Sequence, residues 1–258
     1  MEIISGLHNL RPRHKGCVLT IGNFDGVHRG HQRLIDHLQA QSQKMQLPTT
    51  LMTFEPQPRE FFAGAVLPAR LTRFREKVHL LERTGLDRLL CVPFNEQTSQ
   101  IPAEWFAEEF LTELVGAQYV VIGDDFRFGH ARKGDFQLLQ NTGARLGYEV
   151  ISVDTVLQGG DRVSSTLVRS TLSAGDFAKA AELLGHEYFI MGRVVYGRQL
   201  GRQLGVPTAN VKLQRYRAAL QGVYCVTVDG VIEDDRSVQG IANIGVRPTV
   251  DGKEPLLE

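Results

Sequence analysis

The chain has 258 residues, of which 42% are hydrophobic, so it is long enough for two modest domains and apolar enough to bury a core. Lysine plus arginine and aspartate plus glutamate both total 29, and this zero net charge argues against a nucleic-acid partner, which usually requires a basic excess. No apolar run reaches membrane-spanning length, and three widely spaced cysteines fit neither a zinc site nor a disulfide framework, which favours a cytoplasmic protein with no membrane partner.

The first two-thirds of the chain alternate apolar runs with amphipathic segments. The predicted strands are, in chain order, CVLTIGNF (17–24), TTLMTF (49–54), DRLLCVPF (87–94), YVVIG (119–123) and YEVISVDTV (148–156). The predicted helices are GHQRLIDHLQAQSQKM (30–45), TRFREKVHLLERTG (72–85), PAEWFAEEFLTELVG (102–116), GDFQLLQNTGARLG (134–147) and FAKAAELLG (177–185). This alternation predicts an α/β domain with a doubly wound parallel sheet, in which ligands bind at the carboxyl ends of the strands.

The pattern changes near Gly185, where helical periodicity gives way to strands broken by glycines. The later predicted strands are YFIMGRVVYG (188–197), GVYCVTVDG (222–230) and SVQGIANIGV (237–246). We therefore divide the chain into a first domain, 1–185, and a β-rich second domain, 186–258, which is a small barrel or sandwich. No Pro/Gly/Ser-rich linker separates them, so we expect the domains to pack closely, and a monomer is favoured.

The stretch GNFDGVHRGHQ (22–32) joins the first predicted strand to the first predicted helix. A helix N-terminus carries free N–H groups and a partial positive charge, which suit a phosphate. Gly26 and Gly30 would let a phosphate approach the backbone, and His28 and His31 would point the same way on the first helical turn. These groups could stabilise charge on a departing pyrophosphate. A tight strand-to-helix turn with two incidental histidines would explain the same residues.

Polar residues also follow two later predicted strands. In SSTLVR (164–169) the hydroxyls can cap a helix or donate to phosphate, and Arg169 can add a charge-assisted hydrogen bond. In VIGDDFRFG (121–129), Asp124 and Asp125 could accept from ribose hydroxyls, help to hold magnesium, or be ordinary turn residues.

Aromatic residues and a second polar motif suggest further contacts. Phe62 and Phe128 are our candidates for stacking on a flat aromatic ring, although phenylalanines more often belong to the core. In GVPTAN (205–210), Thr208 and Asn210 could both reach a magnesium-bound phosphate, and a β-turn explains the motif equally well.

Together these motifs resemble those of the bacterial bifunctional riboflavin kinase/FAD synthetases. The resemblance to their adenylyltransferase half, a member of the H-x-G-H nucleotidyltransferase superfamily, rests on the 22–32 stretch, TFEPQPREFF (53–62), RLTRFREK (70–77), VIGDDFRFG and SSTLVR. The segments GRVVYGRQLGRQLGVPTAN (192–210) and ANIGVRPTV (242–250) resemble the flavokinase half. The resemblance covers nearly the whole chain.

The resemblance implies that the first domain transfers an adenylyl group from ATP to FMN, giving FAD and pyrophosphate, and that the second phosphorylates riboflavin with ATP and Mg2+. It implies catalytic roles for His28, His31 and Arg169, and for Glu258 as the kinase base. It implies that Thr208 and Asn210 hold ATP and magnesium. The implied nucleotide and flavin contacts are Gly22, Asn23, Phe24, Asp25, Gly30, Phe62, Asp125, Phe128, Ser165 and Thr166.

Some positions depart from the pattern of the family. Relatives often have asparagine at Asp125 and histidine at Tyr196, and many have histidine at Gln57, so one candidate phosphate contact is expected to be lost there. In the family a strand continues after Glu258 and a helix follows. We therefore expect an incomplete β-barrel flavokinase domain, a poorly fixed Glu258 and little kinase activity. The alternatives are another H-x-G-H adenylyltransferase, acting on a pantetheine or nicotinate substrate, and a non-catalytic flavin-binding protein.

Overall fold

A computed structural model describes residues 1–62, 67–196, 208–231, 236–249 and 252–258. The glycine-rich part of the predicted kinase phosphate loop, 197–207, lies outside them. None of the helices in the described ranges is long and apolar enough to cross a lipid bilayer.

The first domain is built on a six-stranded parallel sheet with strand order β1-β4-β3-β2-β5-β6. Its strands are β1 (Glu2–Ser5), β2 (Cys17–Ile21), β3 (Thr49–Glu55), β4 (Arg88–Pro93), β5 (Ala117–Gly123) and β6 (Glu149–Val153). All five residues of β2 are buried, because apolar clusters cover both faces of the sheet. The predicted parallel sheet is therefore confirmed, and the only strand of it that the sequence analysis missed is the short edge strand β1.

The helices are α1 (Arg29–Met45), α2 (Pro58–Phe62), α3 (Phe74–Glu82), α4 (Glu96–Ser99), α5 (Ala103–Trp105), α6 (Phe136–Leu146), α7 (Ser165–Ser173) and α8 (Phe177–Leu184). The chain continues from α5 as a π-helix over Phe106–Val115. A small hairpin of β7 (Leu157–Gln158) and β8 (Asp161–Arg162) precedes α7.

The strand order creates a crevice between β2 and β5. These strands are neighbours, but the chain leaves β2 towards β3 on one side of the sheet and leaves β5 towards β6 on the other. The loops that follow β2 and β5 therefore diverge, and this is where a doubly wound sheet binds its ligand.

The described strands of the second domain form a five-stranded antiparallel sheet with the order β11-β12-β13-β10-β9. They are β9 (Val194–Val195), β10 (Asn210–Lys212), β11 (Gly222–Val228), β12 (Val238–Thr249) and β13 (Gly252–Leu257). The sequence analysis missed β13.

Two expectations for this domain are wrong. Of the strand predicted over 188–197, only Val194–Val195 pairs within the described residues, because the N–H of Met191 donates instead to Glu76 of the first domain, at 2.9 Å. Glu258 is not loosely held. Its N–H and carbonyl both pair with the backbone of Asn243, at 2.9 and 2.8 Å.

The two domains share one apolar cluster. Leu71, Val168 and Leu184 of the first domain pack in it with Leu213 and Leu220 of the second. The close packing expected from the missing linker is therefore present.

Candidate active site

A cleft of about 970 Å³ lies at the carboxyl ends of β2 and β5. It is lined by every first-domain residue that the sequence suggested as catalytic or cofactor-binding, namely Gly22, Asn23, Phe24, Asp25, His28, Gly30, His31, Phe62, Asp125, Phe128, Ser165, Thr166 and Arg169. Residues from four separate segments of the sequence are thus brought to one place.

The start of α1 places two histidines side by side. His28 is the N-cap residue, and its Nδ1 accepts from the N–H of His31 at 3.4 Å. The two imidazole rings stack with their centroids 3.6 Å apart and their planes 15° apart, so both side chains lie on the same side of the turn. Nδ1 of His31 is buried and has no hydrogen-bond partner among the described residues.

Both imidazoles are neutral at pH 7. Burial lowers the pKa of His28 to about 4, although the charge of Asp25 opposes the shift. Burial, together with the nearby His28 and the ammonium of Lys77, holds the pKa of His31 well below its ordinary value. A neutral imidazole still offers one N–H donor to a phosphate oxygen.

The two glycines of this loop are required for different reasons. Gly26 has φ +84°, and a Cβ there would lie 2.9 Å from Cδ1 of Leu71, so it faces the core and not a phosphate. That part of the prediction is wrong. A Cβ on Gly30 would meet the ring of His28 at 3.2 Å, so Gly30 leaves room for the histidine pair.

A second helix N-terminus borders the same cleft. Ser164 caps α7 by accepting from the N–H of Leu167 at 3.2 Å. The hydroxyl of Ser165 donates to the carbonyl of Asp25 at 2.9 Å, which ties α7 to the loop before α1. Thr166 is exposed and lines the cleft. The N–H groups of two helices are therefore available to one anion.

The carboxylate of Asp25 joins these parts. Only 2% of the residue is exposed, and its oxygens accept from the N–H groups of Leu71, at 3.1 Å, and Thr72, at 2.9 Å. It also forms an ion pair with Arg169, whose Nε donates to the carbonyl of Ala69. Asp25 thus lines the cleft, while protein groups occupy its carboxylate and fix the arginine beside it.

Aromatic rings form two walls of the cleft. Phe62, 67% exposed, meets Phe94 edge-on with the ring centroids 5.6 Å apart. On the other wall, Phe128 is only 7% exposed and packs between Phe106 and Phe126, with centroids 5.2 and 5.6 Å away. Phe62 is therefore free to stack on a ligand, whereas Phe128 presents little surface.

Several further polar residues line the cleft, and its arginines other than Arg169 were not proposed as site residues from the sequence. Arg162 pairs with both Asp124, at 3.1 Å, and Asp125, at 2.9 Å, which leaves these carboxylates less suited to a metal ion. Nε2 of Gln57, where many relatives have histidine, is buried without a partner among the described residues. Three further arginines line the cleft, namely Arg59, Arg127 and Arg132. These three arginines and Arg162 lie inside or next to the motifs quoted above, but no feature of the sequence distinguishes them from ordinary surface cations.

The second-domain candidates lie elsewhere. Asn210 begins β10 and is 8% exposed, and Thr208 precedes it on the surface. Glu258 directly follows β13, and its backbone pairs with that of Asn243. No cluster of three or more His, Cys, Asp or Glu residues suited to a metal ion occurs in the ranges that the structure describes.

Comparisons with known proteins match both domains. The family model described as FAD synthetase matches residues 10–167, and the one described as riboflavin kinase matches residues 184–258. The bifunctional riboflavin kinase/FMN adenylyltransferase of Escherichia coli (strain K12) is 48% identical over 100% of this chain and 82% of its own length. The protein of the same name from Pseudomonas fluorescens is 49% identical over 99% of this chain and 82% of its own length.

The chain belongs to the bifunctional riboflavin kinase/FMN adenylyltransferase family. A solved structure described as a macrolide-efflux protein from Streptococcus pneumoniae has the same fold, with a TM-score of 0.81 and 29% identity over 100% of this chain and 84% of that one. Membership of this family favours the main interpretation of the sequence over a different H-x-G-H adenylyltransferase or a flavin carrier. The match to the riboflavin kinase model also shows that a kinase domain is present, so the expectation of little kinase activity is not upheld.

Acidification is expected to destabilise the protein through the buried histidines. Unfolded histidine takes up a proton below about pH 6.5, whereas folded His28 stays neutral down to about pH 4, so the free energy of unfolding should fall across this window. The limiting slope for one such group is about 1.4 kcal/mol per pH unit. Urea denaturation at a series of pH values would measure it.

Two asparagine variants isolate the contribution of His28. Asparagine is a good N-cap residue and does not titrate, so His28→Asn should flatten the pH dependence. His37→Asn, at a half-buried position further along α1, serves as the matched control and should keep the wild-type slope. Equal slopes in both variants would contradict the assignment of a depressed pKa to His28.

Proposed function

We propose that the cleft at the ends of β2 and β5 is the FMN adenylyltransferase site of this bifunctional enzyme. The observation that carries the proposal is the convergence of the α1 and α7 N-termini, the stacked His28–His31 pair and Arg169 on one cleft. Fixed N–H donors and a fixed guanidinium are what a triphosphate requires, and nothing in the reaction needs a covalent enzyme intermediate.

In this proposal the two ends of the cleft hold different substrates. The triphosphate of ATP lies against the helix N-termini, where the backbone donors and Arg169 are. The isoalloxazine of FMN lies between the aromatic walls, with Phe62 as the ring that is free to stack. A phosphate oxygen of FMN then attacks the α-phosphorus of ATP, and the bond from that phosphorus to the bridging oxygen of pyrophosphate breaks.

Catalysis would come from positioning and from stabilising the charge of the leaving pyrophosphate. The N–H of neutral His31 and the guanidinium of Arg169 would donate to it, and the backbone N–H of Ser165 and the side chains of Thr166 and Gln57 would complete the donor set. The carboxylates of Asp25, Asp124 and Asp125 are already paired with arginines, so we assign Mg2+ at this site to the ATP phosphates.

The second domain would carry the riboflavin kinase site. The oxygen atoms of Thr208 and Asn210 are hard donors that suit Mg2+, which needs few protein ligands when it is bound to a nucleotide. Once bound, the ion neutralises phosphate charge. Glu258 would accept the proton of the riboflavin 5′-hydroxyl, and the pairing of its backbone with Asn243 helps to fix the position of this residue.

Product analysis tests both activities at once. The chain is incubated with ATP, MgCl2 and either FMN or riboflavin, and the products are identified by chromatography and mass spectrometry. FMN should give FAD and pyrophosphate, and riboflavin should give FMN and then FAD. Excess EDTA should abolish both reactions. Flavin binding without release of pyrophosphate would overturn the adenylyltransferase assignment.

His31→Ala should lower kcat for adenylyl transfer by about 10²–10³, because it removes one donor to the leaving group. The dissociation constant of FMN, measured by flavin fluorescence, should stay close to that of the wild type. His37→Ala, at a half-buried position of the same helix outside the lining of the cleft, is the matched control. Wild-type turnover in a folded His31→Ala protein would show that this residue does not contact the pyrophosphate.

Arg169→Lys should raise the KM for ATP and lower kcat. A guanidinium can bind Asp25 and the carbonyl of Ala69 while it faces a phosphate, whereas an ammonium group cannot make all of these bonds at once. Steady-state kinetics with ATP as the varied substrate would measure the change. Unchanged constants would mean that Arg169 only supports the start of α7.

A further inference from the structure

The connection between α2 and α3, residues 69–73, is held on the side that faces the cleft. The N–H groups of Leu71 and Thr72 donate to Asp25, at 3.1 and 2.9 Å, and the carbonyl of Ala69 accepts from Arg169. The position of this 69–73 connection therefore determines where Asp25 and Arg169 sit.

The second domain holds the same connection from the other side. The side chain of Arg215 is 0% exposed, and its Nη1 donates to the carbonyls of Arg70, at 3.1 Å, and Leu71, at 3.3 Å. Leu71 thus donates its N–H to the active-site carboxylate and accepts through its carbonyl from the second domain. The contacts with the cleft and the contacts with the second domain therefore meet at a single residue, Leu71.

Arg215 also binds Glu76, which lies in the first turn of α3. Its Nη2 donates to both carboxylate oxygens of Glu76, at 2.9 and 2.8 Å, and Glu76 is 0% exposed as well. Glu76 in turn accepts from the N–H of Arg73, at 2.7 Å, and from the N–H of Met191, at 2.9 Å. Both the middle and the end of the 69–73 connection are therefore fixed by one second-domain guanidinium.

We propose that Arg215 is a positioning residue for adenylyl transfer, supplied to the first domain by the second. Its planar guanidinium fixes the Leu71 peptide, Leu71 fixes Asp25, and Asp25 holds Arg169 against the cleft. The inference rests on the proposed role of Arg169 at the triphosphate. It differs from simple attachment of the domains, because it requires that loss of Arg215 alters the reaction and not only the stability.

Arg215→Met should lower kcat/KM for adenylyl transfer by about tenfold or more, since small displacements of positioning groups have effects of this size or larger. The loss should appear in kcat and in the KM for ATP, whereas the dissociation constant of FMN should change less than twofold. Kinetics are measured at a temperature at which circular dichroism shows the variant to be folded.

The matched control is Arg73→Met. The guanidinium of Arg73 also reaches the second domain, at the carbonyls of Lys212 and Leu213, both at 3.4 Å, and at Oε1 of Gln214, at 2.9 Å. It does not bind the carbonyls of the 69–73 connection among the described contacts. Its kcat/KM should therefore stay within twofold of the wild type.

Arg215→Lys keeps a positive charge beside Glu76. If Arg215→Met does not fold, the lysine variant tests the positioning role of Arg215 in its place. Lysine has a single nitrogen, which cannot occupy the positions of both Nη1 and Nη2, so it cannot reproduce the bonds of Arg215 to Glu76 and to the two carbonyls. Amide hydrogen exchange over the 69–73 connection, measured by mass spectrometry, should therefore be faster than in Arg73→Met. The kcat/KM for adenylyl transfer should also fall. Wild-type kcat/KM in the folded lysine variant would overturn the proposal, whether or not exchange is faster. Should Arg169→Lys itself leave the kinetics of ATP unchanged, the role of Arg169 fails, while hydrogen exchange still tests the contacts of Arg215.

Discussion

The rest of the active cleft depends on the need to satisfy the buried carboxylate of Asp25. A carboxylate that is 2% exposed is costly unless hydrogen bonds and a counter-charge replace the lost water. The partners of Asp25 come from two distant segments, the 69–73 connection and α7. Satisfying one charge therefore brings the loop after β2, the connection before α3 and the start of α7 together, and the proposed phosphate site is built from these parts.

The same arrangement explains why the two helix N-termini face one volume. Ser165 donates to the carbonyl of Asp25, so α7 begins directly beside the loop that leads into α1. Each helix end would attract a phosphate weakly by itself, but donors held in place by packing need no reorganisation when charge develops in the reaction. The cleft owes this fixed geometry to bonds that do not touch the substrate.

The sequence predicted the parallel sheet because its strands are long apolar runs, and its resemblance to a known family implied most of the residues that line the cleft. The sequence could not predict the directions of the side chains in the loop between β2 and α1. Phe24 and Val27 have φ of 48° and 43°, and this backbone conformation buries Phe24 completely. Nor could it pair Arg215 with Glu76, which are 139 residues apart, since no local pattern marks either partner of a long-range ion pair. The strand β1 was missed because it has only four residues and lies at the sheet edge.

Lys77 shows how the interior prepares the cleft for an anion. The arginines Arg70, Arg169 and Arg215 each have a carboxylate partner, whereas Nζ of Lys77 bonds to the hydroxyl of Thr53 at 3.2 Å, with no carboxylate oxygen within 4 Å among the described residues. Burial lowers its pKa to about 8, so most of the ammonium groups are charged at pH 7. Together with burial, this charge keeps the pKa of His31 low and the imidazole neutral. A bound polyphosphate would be attracted by this buried charge, and neutral His31 would still offer it one N–H donor.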